Sequence, residues 1–447
     1  MTAILIIIGI CVFVIFRNNW KKALYLLIFM LPFFGYISLH LFHLTRFAPL
    51  VQDITLIIPI YLLFILNKIN ENNSQLNLPS GLNNYLLFFI FLILIFSINP
   101  FFDVSLLKRL VGIKVWIFYL LFIVIGFEFI DSETEFKKFC NFFAIITIIP
   151  CVIGILQYLG SYFINYQQTM IWFFGGNEFM AKSSTQNYAM FVWGNGVTVF
   201  RIPSTFSFPS QFGLFVRIAF VPVITALVLA KRIKEKYLYS TILVLLFVGG
   251  AASGTRSMFL FYTLFFVFLV LIRTKFYILL FMLAFVSVII SFIDLSTYIP
   301  DYFQTIYSNV VSLSISYGGG YVFQDLGYIL SNSLLGNGVG SATHEARYVG
   351  EWSPIISDVT GKLLMQHEGF YHKTILELGI FGLIAIFAFF IFIIYEIVLS
   401  IRFISDNKAS LFCSLLLAFF LTMIIESSKG AFVFTKYPGN FFFYFLL

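Results

Sequence analysis

The amino-acid sequence predicts an all-α, polytopic membrane protein of about twelve transmembrane helices, with two long loops on one face. Three observations predict it. Of the 447 residues, 60% are hydrophobic and only 11% are charged, whereas soluble domains carry roughly 25% charged residues. The mean hydropathy is +0.98. Apolar runs of about 15 to 25 residues recur along the whole length, each long enough to cross a hydrocarbon core of about 30 Å. The period-two alternation of a transmembrane β-barrel is absent, so helices must satisfy the backbone inside lipid.

In order, the runs cover 3–16, 23–41, 50–67, 85–99, 110–129, 140–160, 211–230, 238–254, 257–272, 276–294, 370–398 and 409–425. The first lacks the basic flank and small-residue cleavage site of a removable signal and reads as a retained span. A shorter apolar tail occupies 440–447. Segments 161–210 and 295–366 interrupt the series as the two long loops of a single membrane domain, 1–447. Neither is low-complexity, and no internal repeat is visible.

Basic clusters orient the spans. They are "RNNWKK" (17–22), Lys137 with Lys138, "KRIKEK" (231–236), "RTK" (273–275), and Arg402 with Lys408. Alternating the spans places all five on one side, which the positive-inside rule makes cytoplasmic, and both long loops on the other. The net charge of +7 is therefore no signature of nucleic-acid binding. The cysteines, Cys11, Cys140, Cys151 and Cys413, fall in or at the edge of spans without metal-ligand spacing and read as apolar packing residues. Chemistry on the extracytoplasmic side has no ATP or nucleotide sugar, so a bond-forming reaction there must draw on a substrate that is already activated.

Two motifs mislead. "HEGFYH" (367–372) suggests a zinc protease, but that site needs histidines at i and i+4. His367 and His372 are at i and i+5, about 140° apart on a helix. "GNGVG" (336–340) lacks dinucleotide spacing and reads as a turn. No Asp-x-Asp pair stands in a long loop to hold a metal on a diphosphate.

Arginine is more informative. Arg201 opens "RIPSTFSFPSQFG" (201–213), Arg217 lies inside the following span, and Arg256 stands at the junction of two spans. An arginine beside hydrocarbon costs several kcal/mol unless it is paired or hydrated. With few acids nearby, an anion from outside is the expected partner, and a guanidinium fork suits a phosphate or diphosphate. For Arg217, reaching to the interface is an equal alternative. His367, at the start of a span on the same face, can take a proton from a hydroxyl. Tyr371 follows one turn on, where it can orient that ring, and Glu368 is spaced to pair with His372. Trp172, Trp193 and Trp352 fall in the long loops, where flat rings either bind sugar faces or form an interfacial belt.

These residues resemble the O-antigen ligase and O-antigen polymerase superfamily of bacterial surface-polysaccharide assembly. "RIPSTFSFPSQFG" is similar to its Arg…Thr-Phe…Pro-Asn…Gly pattern, and "SGTRS" (253–257) to its Ser-x-Ser-Arg element. "LLGNGVGS" (334–341) looks like its Gly-rich turn, and "HEGFYHKTILELGIFG" (367–382) like its His-Asn…Glu-x-Gly-x-x-Gly block. Ser210 and Gln211 replace Pro-Asn in the first, and Glu368 stands where Asn or Ser is usual. For a further loop arginine seen in the ligases, Arg347 is the one candidate counterpart.

The resemblance implies a GT-C-like fold and a metal-independent, inverting glycosyl transfer that uses no cofactor. The donor would be an oligosaccharide linked through diphosphate to undecaprenol, and the acceptor a glycan or, in a ligase, lipid A core. Arg201 and Arg256 would hold the diphosphate, and His367 would be the general base. Arg217, Arg347, Tyr371, Glu368 and Trp193 would line the substrate site. Glu377, Gly379 and Gly382 would be structural, the glycines allowing close helix packing. The enzyme would sit in the bacterial inner membrane with its site on the periplasmic face, and a chain-length regulator protein is a candidate further partner. A lipid-linked glycan transporter, the alternative from another class, is expected to show repeats and helices broken at mid-bilayer.

Overall fold

A helix surrounded by lipid needs no polar face, and α1 (Thr2–Phe16) has none: Ile4, Ile7, Ile10 and Ile15 all stand exposed along it. The computed structural model describes residues 2–37, 50–71, 78–99, 102, 104–174, 190–192, 198–274, 334–343, 369–427, 441 and 445. Among these, nine helical segments are long and apolar enough to cross a membrane, and Ala3–Phe16 and Leu260–Arg273 are shorter apolar helices. The chain is a polytopic helical membrane protein. The expected span at 276–294 lies outside the described residues.

The first half contains α2 (Trp20–Met30), α3 (Ile58–Asn70), α4 (Ser80–Ile98), α5 (Leu106–Ile113), α6 (Leu121–Phe129), α7 (Glu133–Gly160) and α8 (Tyr166–Phe173). A hairpin of β1 (Met190–Val192) and β2 (Thr198–Phe200) pairs Met190 with Phe200 and leads into the Arg201 segment. It is a small departure from the all-α expectation. The second half contains α9 (Pro209–Leu229), α10 (Ile233–Ala252), α11 (Arg256–Arg273), α12 (Phe370–Phe403) and α13 (Asn407–Glu426). Helix α9 is central. It packs on α7, α10 and α13, and Phe212, Phe215, Val216 and Phe220 are all fully buried.

Side-chain contacts gather the basic clusters at one end of the bundle. Lys21 pairs with Asp131, between α6 and α7, at 2.6 Å, and its hydrogen bond holds the Asp131 carboxyl below the usual range. Arg273 donates to Ser410 at 3.4 Å. Glu133, Leu229, Asp406 and Lys408 line one groove, which brings the start of α7, the end of α9 and the start of α13 together. The end of α7 and the start of α12 lie at the opposite end.

Among the described residues, three π-helical segments interrupt the spans: Asp53–Ile57 before α3, Lys114–Phe118 between α5 and α6, and Ser161–Asn165 between α7 and α8. The first two are joined through charge. Asp53 pairs with Lys114 and accepts from Tyr119 Oη at 3.0 Å. The wider π turn re-aims side chains within an otherwise regular helix, and here it accompanies a balanced charge pair.

Helix α12 is broken at Gly379, whose φ of 63° and ψ of −157° fall in a region essentially restricted to glycine. The sequence reading gave Gly379 to close helix packing. What approaches it is a loop: a Cβ there would lie 2.5 Å from the Leu334 carbonyl oxygen. At Gly382 the first atoms a Cβ would meet belong to Leu378 of its own helix. A span needs about 20 residues. Counted back from Arg402, that length ends near residue 382, so the break lies at the edge of the hydrocarbon. The turn of helix before it stands in the interface.

Gly379→Ala should therefore cost at least about 1–3 kcal/mol in backbone strain alone. Thermal unfolding in detergent checks this, and a variant as stable as the parent would contradict the break.

Candidate active site

The segment carrying Arg201 is sealed into the protein. Ile202, Pro203, Ser204, Thr205 and Phe206 are all buried. With no ladder partner, each backbone group needs another one. Gln157 of α7 supplies two: its Oε1 accepts from Ser204 N at 2.9 Å, and its Nε2 donates to the Ser204 carbonyl at 3.1 Å. Ser204 Oγ donates to the Pro150 carbonyl and Thr205 Oγ1 to the Pro32 carbonyl, at 2.5 and 2.7 Å. Among the described residues Ser204 is the one non-glycine at positive φ, 55°. Such a conformation persists only where surroundings over-determine it, and these four bonds do so. The polar letters of the motif thus anchor the loop. Arg201 stays half-buried at its head, with its carbonyl accepting from Tyr166 Oη at 3.0 Å.

The second motif sits directly on the first. Gly254, at φ 62°, turns the chain from α10 into α11, and a Cβ there would come within 3.1 Å of Arg201 Cα. Only glycine allows that approach together with that φ. Thr255 and Ser253, 2.8 Å apart through their hydroxyls, face Gly213 of α9, where a Cβ would be 2.8 Å from Thr255 Oγ1. Arg256 follows as the first residue of α11.

Arg217 has a protein partner. Its guanidinium meets Glu426, the last residue of α13, at 2.7 Å, and also donates to Ser257 Oγ beside Arg256. Both charged side chains are 6% exposed. The expectation of an outside anion for Arg217 rested on a shortage of nearby acids, and Glu426 is the acid it overlooked. The signal was present: Glu426 is the single acidic residue of α13, at the very end of an apolar run. The lean of helical side chains toward the N-terminus carries Arg217 from within α9 toward that level.

The third and fourth motifs interlock in the same manner. Residues 334–343 form a turn whose Asn337 N–H donates to the Leu376 carbonyl at 2.6 Å, while Ile380 N–H donates to that of Leu334 at 3.0 Å. Glu377 is fully buried. It accepts from Thr343 Oγ1 at 2.7 Å, Ala342 N at 3.1 Å and Trp116 Nε1 at 2.6 Å. It thus binds the turn, α12 and the α5–α6 segment together. Reading Glu377 as structural agrees with these bonds.

The two halves are joined by α13. Phe370 N–H donates to the Ser427 carbonyl at 2.9 Å, and Tyr371 Oη to the Ile424 carbonyl at 2.7 Å. The Tyr371 hydroxyl is thereby engaged by α13. The starts of α11 and α12, the end of α13 and the Arg201 loop form one neighbourhood at the end opposite the basic clusters. His367, Glu368, Arg347 and Trp193 lie outside the described residues, as does the side chain of Arg256. His372 is buried within α12.

A double-mutant cycle tests the ion pair. Arg217→Met and Glu426→Met should each cost about 3–5 kcal/mol, because each leaves the other charge buried and unpaired. The double variant should lose less than the sum. Strict additivity would contradict the pairing.

Compared with family models, curated proteins and solved structures, the chain matches none, so its own residues carry the functional reading.

Proposed function

We propose that the protein is a membrane glycosyltransferase that joins undecaprenyl-diphosphate-linked glycan units into a surface polysaccharide on the extracytoplasmic face. In this reading the fold is GT-C-like, with about twelve spans, in the bacterial inner membrane. The observation that carries it is the meeting of four separated motif segments at one end of the bundle, with Gly254 seated on Arg201 and Phe370 on Ser427. The end opposite the positive-inside loops faces away from the cytoplasm.

The chemistry follows from the residue types. The acceptor hydroxyl attacks the anomeric carbon from the side opposite the diphosphate, so the C–O bond to acceptor forms as the C–O bond to diphosphate breaks. His367 takes the hydroxyl proton. Arg201 and Arg256 stabilise the charge that develops on the departing diphosphate. The bond that breaks supplies the free energy, so neither a nucleotide nor a metal enters the scheme. Arg347, Glu368 and Trp193 remain candidates for holding the sugars. Tyr371 contributes by fixing the first turn of α12, which follows His367 in the sequence, and Arg217 by fixing the first turn of α11. A glycan end as acceptor makes the enzyme a polymerase. Lipid A core as acceptor makes it a ligase.

The break at Gly379 is a feature expected of a lipid-linked glycan transporter. Two points weigh against that reading. The break lies near the edge of the hydrocarbon rather than its middle, and a loop turn fills it.

Reconstitution decides among these. Protein in liposomes, given only lipid-diphosphate-linked repeat units, should yield a ladder of longer glycans that His367→Ala abolishes. A ladder unchanged in that variant removes the histidine from the mechanism. Product formed only when lipid A core is added identifies the ligase. Movement of intact donor across the bilayer without any product favours the transporter.

A further inference from the structure

One buried cation is not balanced by the interactions described above. Lys373 lies in the second turn of α12 and is 6% exposed. Among the described residues no carboxylate lies within ion-pair distance of its ammonium. Glu377, one turn further on, spends its oxygens on Thr343, Ala342 and Trp116. The Lys373 ammonium instead lies over the Trp116 ring, 5.2 Å from its centroid. A cation over an indole face recovers only a part of what its burial costs. The same indole donates its N–H to Glu377, so Trp116 is fixed in place as the floor beneath the ammonium. Leaning toward the helix N-terminus, as helical side chains do, Lys373 points to the end where the motif segments meet.

We propose that Lys373 is an anion-binding residue of the site and takes a phosphate oxygen of the diphosphate. This rests on the glycosyl-transfer reading and adds to it a cation that none of the four motifs marks by its charge. A compact ammonium with three donors can follow a phosphate oxygen as charge builds on it, whereas a guanidinium fork fixes one orientation. The division of labour would be Arg201 and Arg256 on one side of the diphosphate and Lys373, six positions after His367 in the sequence, on the other.

The test measures binding separately from turnover. Purified full-length protein in detergent is titrated calorimetrically with farnesyl diphosphate, with farnesol and inorganic pyrophosphate as parallel arms. The wild-type chain should bind farnesyl diphosphate and not farnesol. Lys373→Met should weaken that binding at least about tenfold, and Lys373→Arg should restore most of it. Melting curves of both variants establish that they are folded. Binding of pyrophosphate as tight as that of farnesyl diphosphate would place the recognition on the diphosphate alone, and weaker binding would add a contribution from the lipid; Lys373 is supported in either case by the loss in Lys373→Met. Equal binding by wild type and a folded Lys373→Met variant overturns the inference and leaves the glycosyl-transfer reading untouched. No binding by the wild-type chain overturns both. Loss of binding in Lys373→Met with no glycan ladder from the wild type keeps the anion site and removes the polymerase.

Discussion

An arginine held at the edge of hydrocarbon must have its charge balanced, and Glu426 balances Arg217 at 2.7 Å. Much of the polar end depends on this pair. It fixes the last turn of α13 against α9, and through Ser257 it fixes the first turn of α11, where Arg256 stands. The residue after Glu426 then offers its carbonyl to Phe370, which sets the start of α12 three positions after His367. One ion pair thus sets the relative height of two segments that are remote in sequence. Apolar packing alone could not do this, since lipid-facing and protein-facing contacts between helices are nearly equivalent in free energy.

A second buried acid plays the matching part on the other side. Glu377 gathers a turn, a broken span and a π-bulged span through three hydrogen bonds. Non-helical backbone is tolerated at this depth only when protein satisfies it, and the Leu334–Ser341 strand of loop does so by exchanging hydrogen bonds with Leu376 and Ile380 across the Gly379 break. The strain at Ser204 and at Gly379 sits beside the candidate site on either side. Such conformations are retained where the chain must be held in one particular path.

The polytopic helical character and the gathering of the basic clusters at one end were legible in the sequence because hydropathy and basic loops are local signals. The gathering of the motifs could be anticipated in outline, since Arg201, Arg256 and His367 fell on one face once the spans were alternated. The partners were not legible. Glu426 is 209 residues from Arg217, Trp116 is 261 from Glu377 and Gln157 is 47 from Ser204, and no local pattern links such pairs. Gly379 was misjudged for a related reason. A glycine in an apolar run looks the same whether a helix or a loop approaches it, and only φ distinguishes the two.

On the proposed reading the polar end, where these segments meet, faces away from the cytoplasm. Sidedness tests it directly. A variant without the four native cysteines and with Lys234→Cys in the exposed basic cluster would be expressed and treated in spheroplasts with a membrane-impermeant maleimide. No labelling is expected until the membrane is permeabilised. Labelling of Cys at that position in sealed spheroplasts would put the motif segments in the cytoplasm and contradict the account.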